Sequence, residues 1–275
     1  MSKISVTTIA GLTSGSDANK VKIESGDTLE VVTNATVGGT LGVTGDLTVD
    51  TDTLFVDASA DKVGIGTATP LRLLHVSSAG DTGLMLQTTS AVDDKEIWEI
   101  QAAADASNHA NLIVRTRVNA GTGGSEAIRI NNNGVVTKPN NPAFVVYGTQ
   151  ASPASGSVLI FNTEKFDIGN NYNNTNGRFT APVAGIYIFY CTQIGPNRNS
   201  VFRYYTRLNG NPYPVGASQM RLNPGAAIHD YGTSAIMVQM AASDYVDVLF
   251  NADDGGVGHG SSTSGHEIFS GYLVG

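Results

Sequence analysis

The stretch Gly177–Tyr190, GRFTAPVAGIYIFY, limits the possible folds more than any other part of the sequence. Its dense apolar and aromatic run comes directly after a glycine, a proline and a second glycine. Proline cannot donate a hydrogen bond to a sheet ladder and belongs at the start of a strand, while glycine serves tight corners. The stretch therefore predicts a corner that leads into a buried strand.

The composition extends this prediction to the whole chain. Charged residues are only 15% of the 275 residues, and 32 residues are glycine. Long amphipathic helices carry Lys, Glu and Arg on their solvent face, so this composition favours short strands joined by Gly and Asn turns. The predicted fold class is all-β. The net charge of -8 makes nucleic acid a poor partner.

Cys191 is the single cysteine, which excludes an intrachain disulfide, and its apolar setting predicts a small core residue. The N-terminus has no basic region followed by an apolar segment, and no apolar run approaches the length of a membrane span. We therefore expect synthesis in a cytoplasm without secretory export or membrane insertion.

A small unit repeats between residues 35 and 57. The pairs Leu41-x-Val43, Leu47-x-Val49 and Leu54-x-Val56 alternate at period two, with Gly or Asp turns between them. Strands of two or three residues are not stable alone, so copies or identical chains must cover their apolar side. The repeat predicts a thin, intertwined β-shaft over residues 35–82, and a glycine-rich linker is the alternative.

The shaft region and the segment after it also resemble known proteins. KVGIGTATPLRLLHV, residues 62–76, resembles a motif of bacteriophage tail fibres, tail spikes and related appendage proteins. Residues 125–139 resemble an ending that in such proteins precedes a distal module. Alternating segments with Asn and Gly turns predict a small β-hairpin domain over residues 83–138. By this resemblance, residues 1–34 would be a virion-attachment segment.

The segment 139–275 resembles the C1q-like domain family, which is related to the tumour necrosis factor fold. The resemblance rests on FNTEKF, YNNTNGRFTAPVAGIYIF, SDYVDV and FSGYLVG, although Ser243 stands where the family has a glycine. It implies a jelly-roll head that forms homotrimers. The residues it assigns to the structural core and its corner are Phe161, Tyr172, Gly177, Phe179, Pro182, Gly185, Tyr187, Phe189, Phe269, Gly271 and Tyr272.

The sequence offers no recognisable catalytic constellation, and we expect no enzyme activity and no cofactor. The five histidines follow no metal-binding spacing. The adjacent carboxylates Asp253 and Asp254 fit either a turn or a Ca²⁺ contact. Polar loops of the head offer groups of the kind that bind sugars, and the candidate receptor contacts are Asn197, Arg198, Asn199, Asn211, Tyr213, Gln219, Arg221, His229, Asp253, Asp254 and His259.

Together these features predict a trimeric phage tail fibre or appendage, localised to the virion, whose head binds a host-surface glycan or lipopolysaccharide. Its N-terminal segment would bind other virion proteins, and three heads would bind multivalently. Two alternatives stay open: a capsid fibre or decoration protein without receptor binding, and a polysaccharide depolymerase with a site between subunits. A secreted C1q-like recognition protein fits less well, because no signal peptide is evident.

Overall fold

A computed structural model of the chain describes residues 30–31, 35–88, 97–107, 109–118, 124–196, 199–212, 219–224, 229–260 and 265–275. These residues form strands and turns without any helix, which confirms the all-β prediction. It follows that no described helix could cross a membrane. The chain divides into two compact units, residues 1–77 and 78–275. Most of the predicted attachment segment 1–34 lies outside the described residues.

The first unit contains a four-stranded sheet. Its strands, in spatial order, are β1 (Leu47–Val49), β2 (Leu54–Asp57), β3 (Lys62–Ile65) and β4 (Leu74–Val76). The first three strands pair antiparallel, and β3 pairs with β4 in parallel. Two of the three predicted apolar pairs thus form strands. The prediction is wrong for Leu41–Val43, which is not a strand and has no pairing partner among the described residues.

Apolar side chains of this unit remain in contact with solvent. Leu71 is 69% exposed, Leu73 is 75% exposed and Leu74 is 61% exposed. A strand of three or four residues is too short to bury its own apolar side in a four-stranded sheet. The unit therefore has apolar surface that a single copy does not cover.

The second unit begins with a five-stranded antiparallel meander. Its strands are β5 (Thr82–Gln87), β6 (Ile97–Ala104), β7 (Ala110–Arg117), β8 (Glu126–Ile130) and β9 (Val136–Thr137). Burial alternates strictly along β6, where Glu99 is buried and forms an ion pair with Arg117. The strands lie in the stretches for which the sequence predicts hairpins.

Residues 143–273 form two antiparallel sheets that pack face to face. Sheet A has the strand order β12-β10-β21-β15-β19, and sheet B has the order β13-β14-β20-β16-β17, with β11 beside β20 and β18 beside β16. The strands are β10 (Ala143–Thr149), β11 (Ser157–Val158), β12 (Phe161–Ile168), β13 (Tyr172–Asn173), β14 (Arg178–Thr180), β15 (Gly185–Gly195), β16 (Phe202–Leu208), β17 (Asn211–Pro212), β18 (Gln219–Leu222), β19 (Asp230–Met240), β20 (Tyr245–Ala252) and β21 (Ile268–Leu273).

An aromatic cluster fills the space between the sheets. Phe144 of sheet A stacks on Phe179 of sheet B with ring centroids 4.8 Å apart, and it meets Phe269 edge to face at 5.0 Å. Such aromatic pairs each add about 0.5–1.5 kcal/mol beyond the burial of their area. The structure buries six aromatic residues of the family motif: Phe161, Tyr172, Phe179, Tyr187, Phe189 and Phe269.

Tyr272 departs from the core role that the resemblance assigns to it. Its side chain is 42% exposed, whereas Gly271 beside it lies against the ring of Phe189. Successive residues of a strand point to opposite faces, so Tyr272 projects from the outer face of sheet A. The assignment of Tyr272 to the core of the single chain is therefore wrong.

The corner predicted from GRFTAPVAG is held by backbone hydrogen bonds. The Ala181 amide donates to the Asp244 carbonyl, and the Ser243 amide donates to the Ala181 carbonyl, each at 2.8 Å. The hydroxyl of Tyr187 donates to the Val183 carbonyl at 2.9 Å. Ser243, which replaces the family's glycine, has a φ of 72°. The left-handed turn is thus kept without a glycine.

Candidate binding surface

The two ends of this sandwich differ in what they contain. At one end, here called the entry end, the Leu273 amide donates to the Pro142 carbonyl at 2.9 Å. The opposite end, here called the far end, is where β10, β15 and β20 finish at Thr149, Gly195 and Ala252. Antiparallel strands that run the full length of the sandwich separate the two ends. A ligand at the far end would therefore contact neither the beginning of β10 nor the meander.

Loops from both sheets meet at the far end. The Asp253 amide donates to the Val201 carbonyl at 3.0 Å, which joins the loop after β20 to the loop after β15. His229, just before β19, has its Nδ1 3.1 Å from the Gly195 carbonyl oxygen. The rings of His229 and His259 are nearly perpendicular, with centroids 5.5 Å apart. The far end is therefore a surface built from several loops.

The structure brings together some of the predicted contact residues and separates others. Asn199, His229, Asp253, Asp254 and His259 lie in the loops of the far end. Asn211 pairs with Leu208 at the entry end, so it cannot share a ligand with them. Asn197, Arg198 and Tyr213 lie outside the described residues.

Gln219 and Arg221 lie on β18, along the edge of sheet B. Arg221 is exposed and sits directly opposite Arg203 of β16, which donates from Nη2 to Asp253 Oδ2 at 3.0 Å. This guanidinium-rich patch connects the outer face of sheet B with the far end. It offers charged hydrogen-bond donors in fixed planar geometry, as polar ligands with several oxygen atoms require.

The geometry of the adjacent carboxylates bears on the Ca²⁺ contact that the sequence leaves open. The Asp253 carboxylate forms an ion pair with Arg203. Asp254 Oδ1 accepts a hydrogen bond from the Gly256 amide at 3.0 Å within its own turn. Among the residues that the structure describes, no group of three or more His, Cys, Asp or Glu side chains is arranged to hold a metal ion. These carboxylates thus act in an ion pair and a turn.

Glu267 is the functional candidate that sequence reasoning missed. Its carboxylate is fully buried, and Oε1 contacts Nδ1 of His259, whose side chain is 27% exposed. Tyr204 lies nearby, and its hydroxyl donates to the Ile194 carbonyl at 3.0 Å. Burial is the largest cause of the raised pKa of Tyr204, and the charge of Glu267 adds to it. The sequence gives no spacing signal for this cluster, since the strands alone bring its members together.

Cys191 lies in the core and does not offer a nucleophile. Its side chain is fully buried, and this burial raises the pKa of the thiol to about 12. The reactive form of cysteine is the thiolate, which is almost absent at neutral pH when the pKa is so high. The position fits the structural role that the sequence predicts.

The outer faces of the two sheets differ in chemistry. Sheet B carries charged groups, including Arg207, which donates from Nε and Nη2 to the two oxygens of the buried Asp247 at 2.7 and 3.0 Å. Sheet A instead presents an apolar face, defined here as Ile186, Ile188, Tyr190, Met237 and Tyr272. Of these, Met237 is 59% exposed, and Ile188, Tyr190 and Met237 line a shallow depression. The two faces are therefore suited to different partners.

Comparison with known proteins identifies one matching family and a similar solved structure. Residues 143–274 match the family model of the C1q domain. Among solved structures, the globular domain of zebrafish complement 1qA protein is similar at 19% sequence identity, over 49% of this chain and 98% of that one, with a TM-score of 0.36. C1q-type domains are in general non-enzymatic binding or structural domains, and the match indicates no catalytic family. Residues 143–274 of this chain are a C1q domain.

Proposed function

We propose that this chain is the protomer of a trimeric fibrous appendage, of the kind that bacteriophages carry on their tails, whose C1q domain binds a cell-surface glycan. The observation that carries the proposal is the contrast between the apolar face of sheet A and the charged outer face of sheet B. An apolar face on an antiparallel sheet needs a cover, whereas a charged face is stable in water.

Copies of the same chain are the best cover for the apolar face. Ile186, Tyr190 and Tyr272 are 42%, 40% and 42% exposed in the single chain, and they lie on neighbouring strands of sheet A. C1q domains commonly form trimers, and closed cyclic symmetry is the usual arrangement of identical subunits. A trimer around sheet A would bury these side chains and leave sheet B and the far end in contact with solvent.

The remainder of the chain supports a fibre. In the first unit, Leu71 and Leu73 before β4 and Leu74 within it are exposed, as described above. The meander also exposes Leu84, at 60%, and Trp98, at 47%. Exposed apolar side chains in the described parts of the first unit, the meander and the head are expected where three copies run side by side. The resemblance of residues 62–76 and 125–139 to phage appendage motifs supports the proposal that this fibre belongs to a virion.

The far end is the part of the head best placed for adhesion. It lies at the opposite end of the sandwich from the beginning of β10. Its loops supply amide and imidazole groups, including that of Asn199, and the neighbouring strand β18 supplies the guanidinium of Arg221. Sugars are recognised by such groups through multiple hydrogen bonds. Three heads on one fibre would bind multivalently, so a weak single contact suffices for firm attachment.

The trimer is tested with a charge on the apolar face. Met237→Glu in the full chain places a carboxylate on that face, and we expect light scattering after size exclusion to show monomers or aggregates instead of trimers. Gln219→Glu, which adds the same charge to the outer face of sheet B, should remain trimeric. A wild-type chain that is monomeric at micromolar concentration would overturn the proposed assembly.

Adhesion is tested with the labelled full chain and a panel of bacterial cells. We expect saturable binding to some strains, competition by their purified surface polysaccharide, and at least about tenfold weaker binding for Arg221→Ala. Asn211→Ala, at the entry end, should bind like the wild type. A folded trimer that binds no strain would favour a capsid or decoration role, and release of reducing sugar from the polysaccharide would favour a depolymerase.

A further inference from the structure

We propose that His229 and His259 form a binding site for one divalent transition metal ion, of which Zn²⁺ is the best match, at the far end of the C1q domain. This inference goes beyond the proposed adhesive function and does not depend on it. It rests on the hydrogen bonds, spacing and exposure of the two rings.

Each ring already uses Nδ1 in a hydrogen bond. His229 Nδ1 lies 3.1 Å from the Gly195 carbonyl oxygen, and His259 Nδ1 contacts the Glu267 carboxylate. A neutral imidazole that donates from Nδ1 to an oxygen atom has its lone pair on Nε2. Histidine ligands of metals almost always donate their other ring N–H to a carboxylate or a backbone carbonyl. As neutral imidazoles, both histidines would therefore have their lone pair on Nε2, the atom that would bind the ion.

The distance between the rings agrees with a shared ion. A Zn–N bond is about 2.0–2.1 Å, and two imidazoles bound to one ion at roughly 110–120° then have ring centres about 5.2–5.5 Å apart. The observed separation of the His229 and His259 centroids is 5.5 Å. This agreement involves residues 30 positions apart in sequence, so no local motif imposes it.

Burial and charge favour a cation at this position. Glu267 has no exposed side-chain surface, and a buried carboxylate beside an imidazole raises the basicity of the nitrogen that faces the metal. His229 is exposed and His259 is partly exposed, so an ion can enter from solvent. The carboxylate would compensate part of the charge of the bound ion.

The ligand type selects the class of ion. Imidazole nitrogen suits Zn²⁺, Cu²⁺ and Ni²⁺, whereas Ca²⁺ and Mg²⁺ require oxygen ligands. Two protein ligands leave the other coordination positions to water. This arrangement is consistent with the absence, among the described residues, of a group of three or more metal-binding side chains.

The test uses the metal-depleted full chain and isothermal titration with Zn²⁺. We expect one ion per chain, and His229→Ala and His259→Ala should each abolish that binding. Glu267→Gln keeps the shape of the side chain but removes its charge, and it should weaken affinity by about 10- to 100-fold. His109→Ala, in the exposed Asp105 turn of the meander, is the matched control and should bind like the wild type.

Two further measurements keep the test decisive. His259→Ala leaves Glu267 without this partner and can unfold the loop, so His229→Ala, which removes an exposed ring, is the variant that decides. With Cu²⁺ in place of Zn²⁺, electron paramagnetic resonance should show hyperfine coupling to two nitrogens in the wild type, and this signal should be absent from His229→Ala. Wild-type protein that binds no metal, or binding that His229→Ala leaves unchanged, would overturn the proposal.

Discussion

Gly177 is the position where a single methyl group should damage the C1q domain most clearly. Its φ is +74°, in the left-handed region, and its amide donates to the Asn173 carbonyl at 2.9 Å to close the turn before β14. A Cβ at this position would lie 2.2 Å from the carbonyl oxygen of Leu159. Gly177→Ala therefore combines an unfavourable backbone conformation with a clash against backbone.

Gly255 separates these two effects. Its φ is +70°, nearly the same as that of Gly177, but a Cβ there would meet nothing within 4 Å. Gly255→Ala should therefore cost only the left-handed conformation, about 1–2 kcal/mol. Gly177→Ala adds overpacking of about 1–3 kcal/mol, so its loss in the free energy of unfolding should be about 2–5 kcal/mol.

The assay is urea unfolding of the full-length variants at equal protein concentration, followed by near-ultraviolet circular dichroism of the tyrosines. Equal concentration matters because assembly contributes to apparent stability. In thermal unfolding, Gly177→Ala should lower the midpoint by on the order of 10 °C, roughly twice the effect of Gly255→Ala. Equal losses for the two variants would refute the argument that the Leu159 carbonyl excludes a side chain.

Four further outcomes test the domain by other routes. Ser243→Gly should raise the free energy of unfolding by roughly 0.5–1 kcal/mol, because φ is 72° there; an unchanged urea midpoint would contradict this. Asp247→Ala should cost about 3–5 kcal/mol in urea unfolding, since it removes a fully buried carboxylate and leaves its partly buried partner Arg207 uncompensated; a loss below about 1 kcal/mol would count against it. Cys191, with its pKa raised to about 12 by burial, should react with iodoacetamide far more slowly at pH 8 when folded than when unfolded, and equal rates would exclude a buried thiol. The pKa of Asp244 is lowered below 3.8, first by the Asn209 side chain, so its contribution to stability is present above that pH and is lost as pH falls through the folded pKa. Urea midpoints should therefore fall more steeply in acid for the wild type than for Asp244→Asn.

Local patterns were sufficient to predict much of the fold. Alternation at period two predicts β1, β2 and most strands of the meander, because successive side chains of a strand point to opposite faces of the sheet. The pattern failed at Leu41–Val43 because a strand also needs a paired neighbour, which no local pattern supplies. It failed at Tyr272 because membership of a family motif does not specify which face of the sheet a residue occupies.

The candidate site was less accessible to sequence reasoning. The sequence predicts that His229 and His259 lie in loops, but their contact and the buried Glu267 depend on pairing between distant strands. Asn211 lies in an equally polar loop, yet the antiparallel order of the strands places it at the other end. Polarity identifies loops, and only the topology shows which loops meet.

The strand order of sheet A has a consequence for synthesis on the ribosome. β21 (Ile268–Leu273) is a central strand, hydrogen-bonded on one side to β10 and on the other to β15. Until these residues emerge, the two earlier strands have a gap between them and expose unpaired edges, which are prone to aggregate. Sheet A can therefore close only after translation of the whole domain, and the nascent chain must remain soluble until then.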